Sequence, residues 1–400
     1  MLRQYLQSAV IIAASLATLD VVADEAPTEQ DYYPIVTVEA PAGVDLEVGG
    51  LSYTDDDKLA VSTRKGDVWV IENPHEEDGQ PARFTRFASG IHEPLGLTFR
   101  DGSYYLAQRG ELTRLQDTSG NGSADVYQTV YAWPLSAHYH EYSFGPKITE
   151  DGSMFVTLNV AFGAKEWWRG ESRVPWRGWT LKISPQGEME PWAVGMRSPA
   201  GPGLVGDELF YTDNQGDWMP SGGIWHLNRG TFSGHPAGLR WSGEPGSPVA
   251  LSAETFFSTL DERRIRKSDG ERIDGLAFVT EDGMQKPDNI ANEENPATLH
   301  EARDAFPELK LPAVWLPHGI LGVSNSEILA NDTGGDFGPF GGQLFVGDQG
   351  QSKIMRVALE KINGEYQGVA FNFRSDFQSG VLRLAWGKPG NLFVGQTDRG

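Results

Sequence analysis

The sequence predicts an all-β fold: a β-propeller, six-bladed, with an irregular and partly helical insertion around residues 240–312. Three observations predict it. Short apolar runs alternate with polar turns, several of them Asp-Gly. Glycine is abundant, with 48 in 400 residues. One strand unit also recurs at a period close to that of a propeller blade.

The unit is a glycine, apolar residues, a polar turn and a second apolar strand. It appears as GGLSYTDDDKLAVSTRKGDVWVI at 49–71, LGLTFRDGSYYLAQRGELTRL at 95–115 and FGPKITEDGSMFVTLNV at 144–160. A weaker copy is AGPGLVGDELFYTDNQGDW at 200–218. The unit starting near Gly322 carries FGGQLFVGDQGQSKIMRVAL at 340–359, and the last is GVLRLAWGKPGNLFVGQTDRG at 380–400. Anchored on Gly50, Gly96, Gly145, Gly201, Gly322 and Gly380, the intervals are 46, 49, 56, 121 and 58 residues. Intervals of roughly 40 to 50 residues holding several strands each signify a propeller. The long fourth interval holds the insertion, where SAETFFSTLDERRIRKSDGE reads as helix. A fragment at 273–283, IDGLAFVTEDG, opens like a seventh unit, but the expected strands do not follow it. The last unit stops at Gly400, so either YYPIVTVEAP completes the ring or the chain is cut from a longer one. The cut is the expectation, with a further C-terminal module or a separate electron acceptor as partner.

The chain begins as a signal peptide over 1–23. Arg3 supplies the positive start, Ala9 to Leu19 the apolar core, and Val21-Val22-Ala23 the small-residue cleavage site. That core is too short for a membrane span. The expected mature protein is exported, to a periplasm or beyond, with a segment at 24–45 leading into the propeller at 46–400. There is no cysteine, which excludes disulfides and thiolate metal sites. A net charge of −22 argues against nucleic acid and anionic membranes, both of which demand clustered Lys and Arg.

Propeller geometry predicts where the chemistry sits. The loop leading into each innermost strand lies near the axis, so equivalent loops converge. These leading loops carry His92 and Glu93, then His138, His140 and Glu141, then Arg197 and Ser198, then Trp315 and His318, then Gln378. The loops trailing the second strands should reach the same face. They carry Arg109, the run Asp213-Asn214-Gln215-Gly216-Asp217-Trp218, then Asp348-Gln349, then Thr397-Asp398-Arg399. Imidazoles, a guanidinium and carboxylates around one mouth suit an anionic cofactor, a metal or a sugar, with His92 and Gln349 among the cofactor candidates. An imidazole that titrates near neutrality also suits general-base work. Separately, Asp117, Ser119, Asn121 and Asp125 have the 1-3-5-9 spacing of a calcium loop, although Gln128 stands where the bidentate Glu belongs. The alternative there is a polar hairpin loop. The run WWRGESRVPWRGW at 167–179 either walls a sugar groove or packs between blades.

Four stretches resemble the PQQ-dependent glucose/sorbosone dehydrogenase superfamily, in a divergent branch. HEYSFGPKITEDG is similar to the family's histidine-plus-turn motif and implies His140 as catalytic base. GMRSPAG resembles the motif whose arginine contacts the quinone, implying Arg197, and LPHG resembles a cofactor-contacting segment, implying His318. DNQGDW resembles the calcium-supporting loop, implying Asp213, Gln215 and Asp217 as metal residues. Departures are plain: Ser198 replaces the family's asparagine, and the cofactor-binding lysine falls on Gly350, with Lys353 three residues later. The late arginine pair is unmatched, although Arg383 is near. The resemblance implies a secreted quinoprotein-like oxidoreductase that oxidises a sugar or related alcohol or aldehyde with PQQ and calcium. Two other readings stay open: a metal-dependent hydrolase of the lactonase type using Asp213 and Asp348, and a non-catalytic propeller that binds carbohydrate or a partner.

Overall fold

The computed structural model describes residues 27–163, 166–216, 218–259 and 302–398. The signal-peptide reading, the fragment at 273–283, Asp217 and the chain's last two residues lie outside them. The chain divides into two units, residues 1–36 and 37–400. In the first, a short helix, Glu29–Tyr32, is capped by Asp31, whose carboxylate accepts the Thr28 N–H at 2.6 Å. No strand forms in YYPIVTVEAP at 32–41. No helix among the described residues is long and apolar enough to cross a membrane.

The second unit is a β-propeller. Its first sheet is Val48–Tyr53, Leu59–Thr63, Val68–Glu72 and Arg83–Ala88. The second is Thr98–Arg100, Ser103–Ala107, Glu111–Gln116 and Val126–Ala132, and the third Ser143–Ile148, Met154–Leu158, Trp179–Ile183 and Met189–Val194. The fourth is Gly201–Val205, Glu208–Asp213, Gly222–His226 and Val314–Leu316. The fifth is Asn325–Ala330, Leu344–Asp348, Lys353–Ile362 and Glu365–Arg374. A two-stranded sheet, Gly380–Trp386 and Leu392–Thr397, stands where the sequence places the sixth unit. The innermost strands contact one another in chain order, and that of the sixth sheet contacts that of the first, so the ring closes.

The recurring glycines have a steric cause. A Cβ on Gly50 would lie 2.4 Å from the carbonyl carbon of Gly96, and one on Gly96 would lie 2.3 Å from the oxygen of Gly145. Near the axis neighbouring inner strands meet backbone to backbone, and only glycine leaves the room. The long interval is also explained. Residues 227–313 are inserted between the third and fourth strands of the fourth sheet. They include a 3-10 helix, Pro236–Trp241, and a helix, Ala253–Thr259, inside the stretch the sequence marks as helical. Phe256 packs its ring against Phe232 and Phe306 within the insertion at 5.4 and 5.2 Å, and against Trp218 of the propeller at 5.9 Å, which anchors the insertion to the core. Trp176 and Trp179 join the same core edge to face at 5.1 Å, so these two rings pack rather than wall a groove.

The axis is plugged by charge. Arg383, on the innermost strand of the sixth sheet, is buried and donates to Gly49 O at 2.8 Å, Ala200 O at 2.9 Å and Leu95 O at 3.0 Å. It also pairs with Glu327 at 3.4 Å and lies 5.6 Å from the Phe144 ring centre. One guanidinium thereby reaches segments of each of the five four-stranded sheets. Glu327 also pairs with Lys147. The space left is a cavity of about 10 Å³ lined in part by Gly96, Gly145, Lys147 and Glu327, room for one water.

Two outcomes follow for stability. Arg383→Ala unpairs a buried carboxylate from one partner and takes a donor from three carbonyls, of which Leu95 O keeps the Gly145 N–H, so urea unfolding should show a loss of roughly 3–5 kcal/mol. Arg383→Lys, lacking the planar fork, should restore less than half of it. Asp151 accepts from the Thr149 hydroxyl at 2.6 Å and the Ser153 N–H at 2.9 Å, which pull its pKa from 3.8 down to about 2. A depressed folded-state pKa stabilises in full above the unfolded value, and that contribution is lost as pH falls through about 2. The stability difference between the wild type and Asp151→Asn should be flat above pH ~4 and shrink toward pH ~2 in acid titrations.

Candidate active site at the propeller mouth

Antiparallel pairing sets the start of each inner strand beside the end of the second strand, so leading and trailing loops meet at one face. The structure shows how they are joined. Gln108 Oε1 accepts the His92 N–H at 2.6 Å, and Gln396 Oε1 accepts the Ser379 N–H at 2.9 Å. Asp213 accepts the N–H groups of Arg197, Ser198 and Asn214, each at 2.8 Å. Asp348 accepts those of Ser324 at 2.8 Å and Gly350 at 2.9 Å, with Val323 at 3.1 Å. Both carboxylates are fully buried. Burial raises the Asp213 pKa, and the amide N–H groups pull against it. These two groups act as staples between loop and strand.

At the third and fourth sheets the mouth gathers an imidazole and a guanidinium. His140 Nδ1 lies 3.1 Å from Val160 O. A carbonyl only accepts, so Nδ1 carries the proton and Nε2 is the basic nitrogen. The His140 ring packs on Phe162 with centroids 4.0 Å apart, and the Arg197 guanidinium lies 4.5 Å from the centre of that same ring. The Val160 N–H donates to Arg197 O at 3.3 Å. Arg197 also rests on Gly216, where a Cβ would come within 2.0 Å of its Nε. The sequence reading named His140 and Arg197 but missed Phe162, which joins them. Its one signal was an apolar residue just past a second strand, in NVAFG.

The remaining expected residues serve different contacts. His92 and His318 are exposed, and the His318 N–H donates to Ser221 Oγ at 3.1 Å. Gln349 Nε2 donates to Thr397 Oγ1 at 2.8 Å, tying the fifth sheet to the sixth. Lys353 Nζ donates to Ile320 O at 2.8 Å, holding the loop of His318, and burial lowers its pKa. Gln215 Nε2 reaches Pro220 O at 3.5 Å. Burial lowers the pKa of His138, whose Nδ1 accepts the His140 N–H at 3.1 Å. Among the described residues no three His, Asp or Glu side chains converge as a metal site.

The loop of Asp117, Ser119, Asn121 and Asp125 joins the third and fourth strands of the second sheet. Strand alternation puts that turn at the opposite end from the mouth. Asp117 accepts the N–H groups of Gly122 and Gly120, both at 2.7 Å, and Asp125 those of Thr118 at 2.9 Å and Ser119 at 3.0 Å. Amide donation, from Gly122 foremost for Asp117 and from Thr118 for Asp125, lowers both pKa values.

No family model matches the sequence, and no curated protein matches it. Solved structures do match it in fold. The PQQ-bound aldose sugar dehydrogenase of Streptomyces coelicolor is 12% identical with a TM-score of 0.54, over 87% of this chain and 87% of that one. The soluble aldose sugar dehydrogenase of Escherichia coli, in its apo form, is 12% identical with a TM-score of 0.54, over 87% and 93%. The holo PQQ domain of Coprinopsis cinerea pyranose dehydrogenase is 12% identical with a TM-score of 0.53, over 88% and 91%. The ring of sheets described above is therefore the β-propeller fold of these sugar dehydrogenases.

Proposed function

We propose that this protein is an exported quinoprotein-like oxidoreductase that oxidises a sugar or related alcohol or aldehyde, with His140 as general base and PQQ held at Arg197. The observation that carries the reading is the meeting of His140 and Arg197 on Phe162. The fold shared with PQQ-bound sugar dehydrogenases supports it. The residues suit a planar anionic group in part. Arg197 offers a guanidinium beside a glycine and an aromatic ring, and Phe162 offers a flat face. Lys353 and Asp213 are committed to backbone partners, so the group would have fewer charged contacts than the sequence suggested.

When bound, PQQ would supply a two-electron acceptor. This chain supplies the proton chemistry. His140 Nε2 takes the hydroxyl proton, and the Val160 carbonyl stabilises the resulting imidazolium through Nδ1–H. Arg197 steadies negative charge that develops beside it. Calcium belongs to the same proposal, but the carboxylates of Asp213 and Asp117 already accept backbone N–H groups, so their loops fit a cation only in part. The lactonase-type alternative gains nothing from Asp213 and Asp348, whose oxygens accept backbone N–H groups.

The test is reconstitution of the purified protein with PQQ and calcium, following quinone absorption by titration with and without a panel of aldoses. Saturable binding is expected, with reduction by at least one sugar. His140→Ala should lower the reduction rate about 10²- to 10⁴-fold while binding persists. Arg197→Ala should weaken binding itself. Absence of any quinone binding by the wild type would sink the reading.

A further inference from the structure

We infer that Arg109 and Arg177 form a clamp that fixes the loop of His140 and thereby its Nδ1–H tautomer, so that both are positioning residues for the base. The inference rests on the reading of His140 as the base. It starts from a contrast among the leading loops. At the second, fourth, fifth and sixth sheets a side-chain acceptor grips loop N–H groups: Gln108, Asp213, Asp348 and Gln396. At the third sheet the polarity is reversed, and two cations grip loop carbonyls.

Arg109 Nη2 donates to Tyr139 O at 2.5 Å and Nη1 to His138 O at 3.3 Å. Its Nε pairs with Glu93 at 2.6 Å, and its guanidinium lies 4.8 Å from the Tyr142 ring centre. Arg177 is fully buried and donates from Nη1 to Tyr142 O at 2.8 Å. Its Nη2 donates to Arg109 O at 3.0 Å, so the second arginine holds the first. That carbonyl also accepts from Trp133 Nε1 at 2.7 Å and Ser143 Oγ at 2.9 Å. Glu141, buried between the gripped residues, accepts from Ser136 N at 2.9 Å and Oγ at 2.6 Å, and its charge faces that of Arg177. Carbonyls on both sides of His140 are thus fixed in space. The imidazole keeps only its side-chain torsions, and Val160 O selects among them. A loop free to move would lose that hydrogen bond and mix the two tautomers, of which one presents a protonated Nε2 that is no base. Prior fixing of a reacting group is how a site avoids an entropic cost during reaction.

Why two arginines are used is also physical. A planar fork reaches two carbonyls at once, which an ammonium on a flexible stem does less well. Each gripped backbone group at Arg109 and Tyr142 keeps another donor when Arg177 is removed, since Tyr142 O also accepts the Asn159 N–H at 3.0 Å. The Arg177→Met chain should therefore fold.

The experiment is nitrogen NMR of the full chain labelled at histidine, which reads the tautomer of His140 without substrate or quinone. Assignment comes from His140→Ala. The wild type should show a protonated Nδ1. Arg177→Met and Arg109→Met should each move both ring nitrogens toward averaged shifts, and amide exchange at 138–142 should quicken about tenfold or more. Arg109→Lys should stay closer to the wild type than Arg109→Met does. Folded variants that keep the wild-type tautomer overturn the clamp. If Arg177→Met does not fold, Arg109→Met, at the partly open end of the clamp, decides alone. Averaged tautomers alongside an inactive wild type would support the clamp and remove only the oxidoreductase reading.

Discussion

The Arg383 guanidinium is the constraint on which this propeller depends. A propeller's weak point is its axis, where inner strands converge and polar backbone groups are drawn out of water. Here one cation reaches Gly49, Leu95 and Ala200 by hydrogen bonds, Glu327 by charge and Phe144 by its ring. Burying a guanidinium is expensive, and burial pushes its pKa down. Three carbonyls and a carboxylate offset that cost, even though Leu95 O also accepts the Gly145 N–H and Glu327 also pairs with Lys147. The collar of Leu95, Phe144, Ala200 and Leu382 surrounds the guanidinium with apolar groups, and that low-dielectric setting strengthens these contacts.

With the axis fixed, the mouth is built from one repeated problem solved in two ways. Each inner strand must be entered by a loop whose backbone groups need partners. Four sheets answer with an acceptor at the end of the second strand. The third answers with donors from Arg109 and Arg177, leaving His140 in a loop held by its carbonyls. Charge follows the same logic. Glu93 sits between Arg64 at 2.5 Å and Arg109 at 2.6 Å, and Glu141 faces Arg177, so the cations at this end are compensated locally despite the acidic chain. The Arg197 guanidinium lies on Gly216 and against the Phe162 ring, the arrangement on which its proposed role rests.

Much of the fold was legible because its signals are local. Asp-Gly turns, alternating apolar residues and a glycine at or just before most inner strands are dictated by backbone geometry; the fifth, Asn325–Ala330, has none, and a Cβ on Gly322 before it would meet the Asn325 side chain. The helix at Ala253–Thr259 was readable for the same reason. That His140 and Arg197 lie on leading loops of one face was legible through their repeat position, and the family resemblance is what set them apart from the other residues of those loops. The expected metal role of Asp213 illustrates the limit. A carboxylate in a polar loop reads the same whether it faces a cation or the N–H groups of its neighbours, and only the fold reveals that Arg197, Ser198 and Asn214 aim their amides at it.

The sequence by itself determined the strand units, most of their glycine anchors and the long interval that holds the insertion, because each follows from chain-local sterics or from periodicity. Tertiary structure alone decided the rest. Arg383 is 183 residues from the carbonyl of Ala200 and 334 from that of Gly49, and Arg177 is 68 from that of Arg109. An arginine in a strand or a tryptophan-rich run carries no mark of such partners. Long side chains find them only when closure of the ring brings buried carbonyls within reach, and the free energy of satisfying those carbonyls then fixes where each guanidinium must lie.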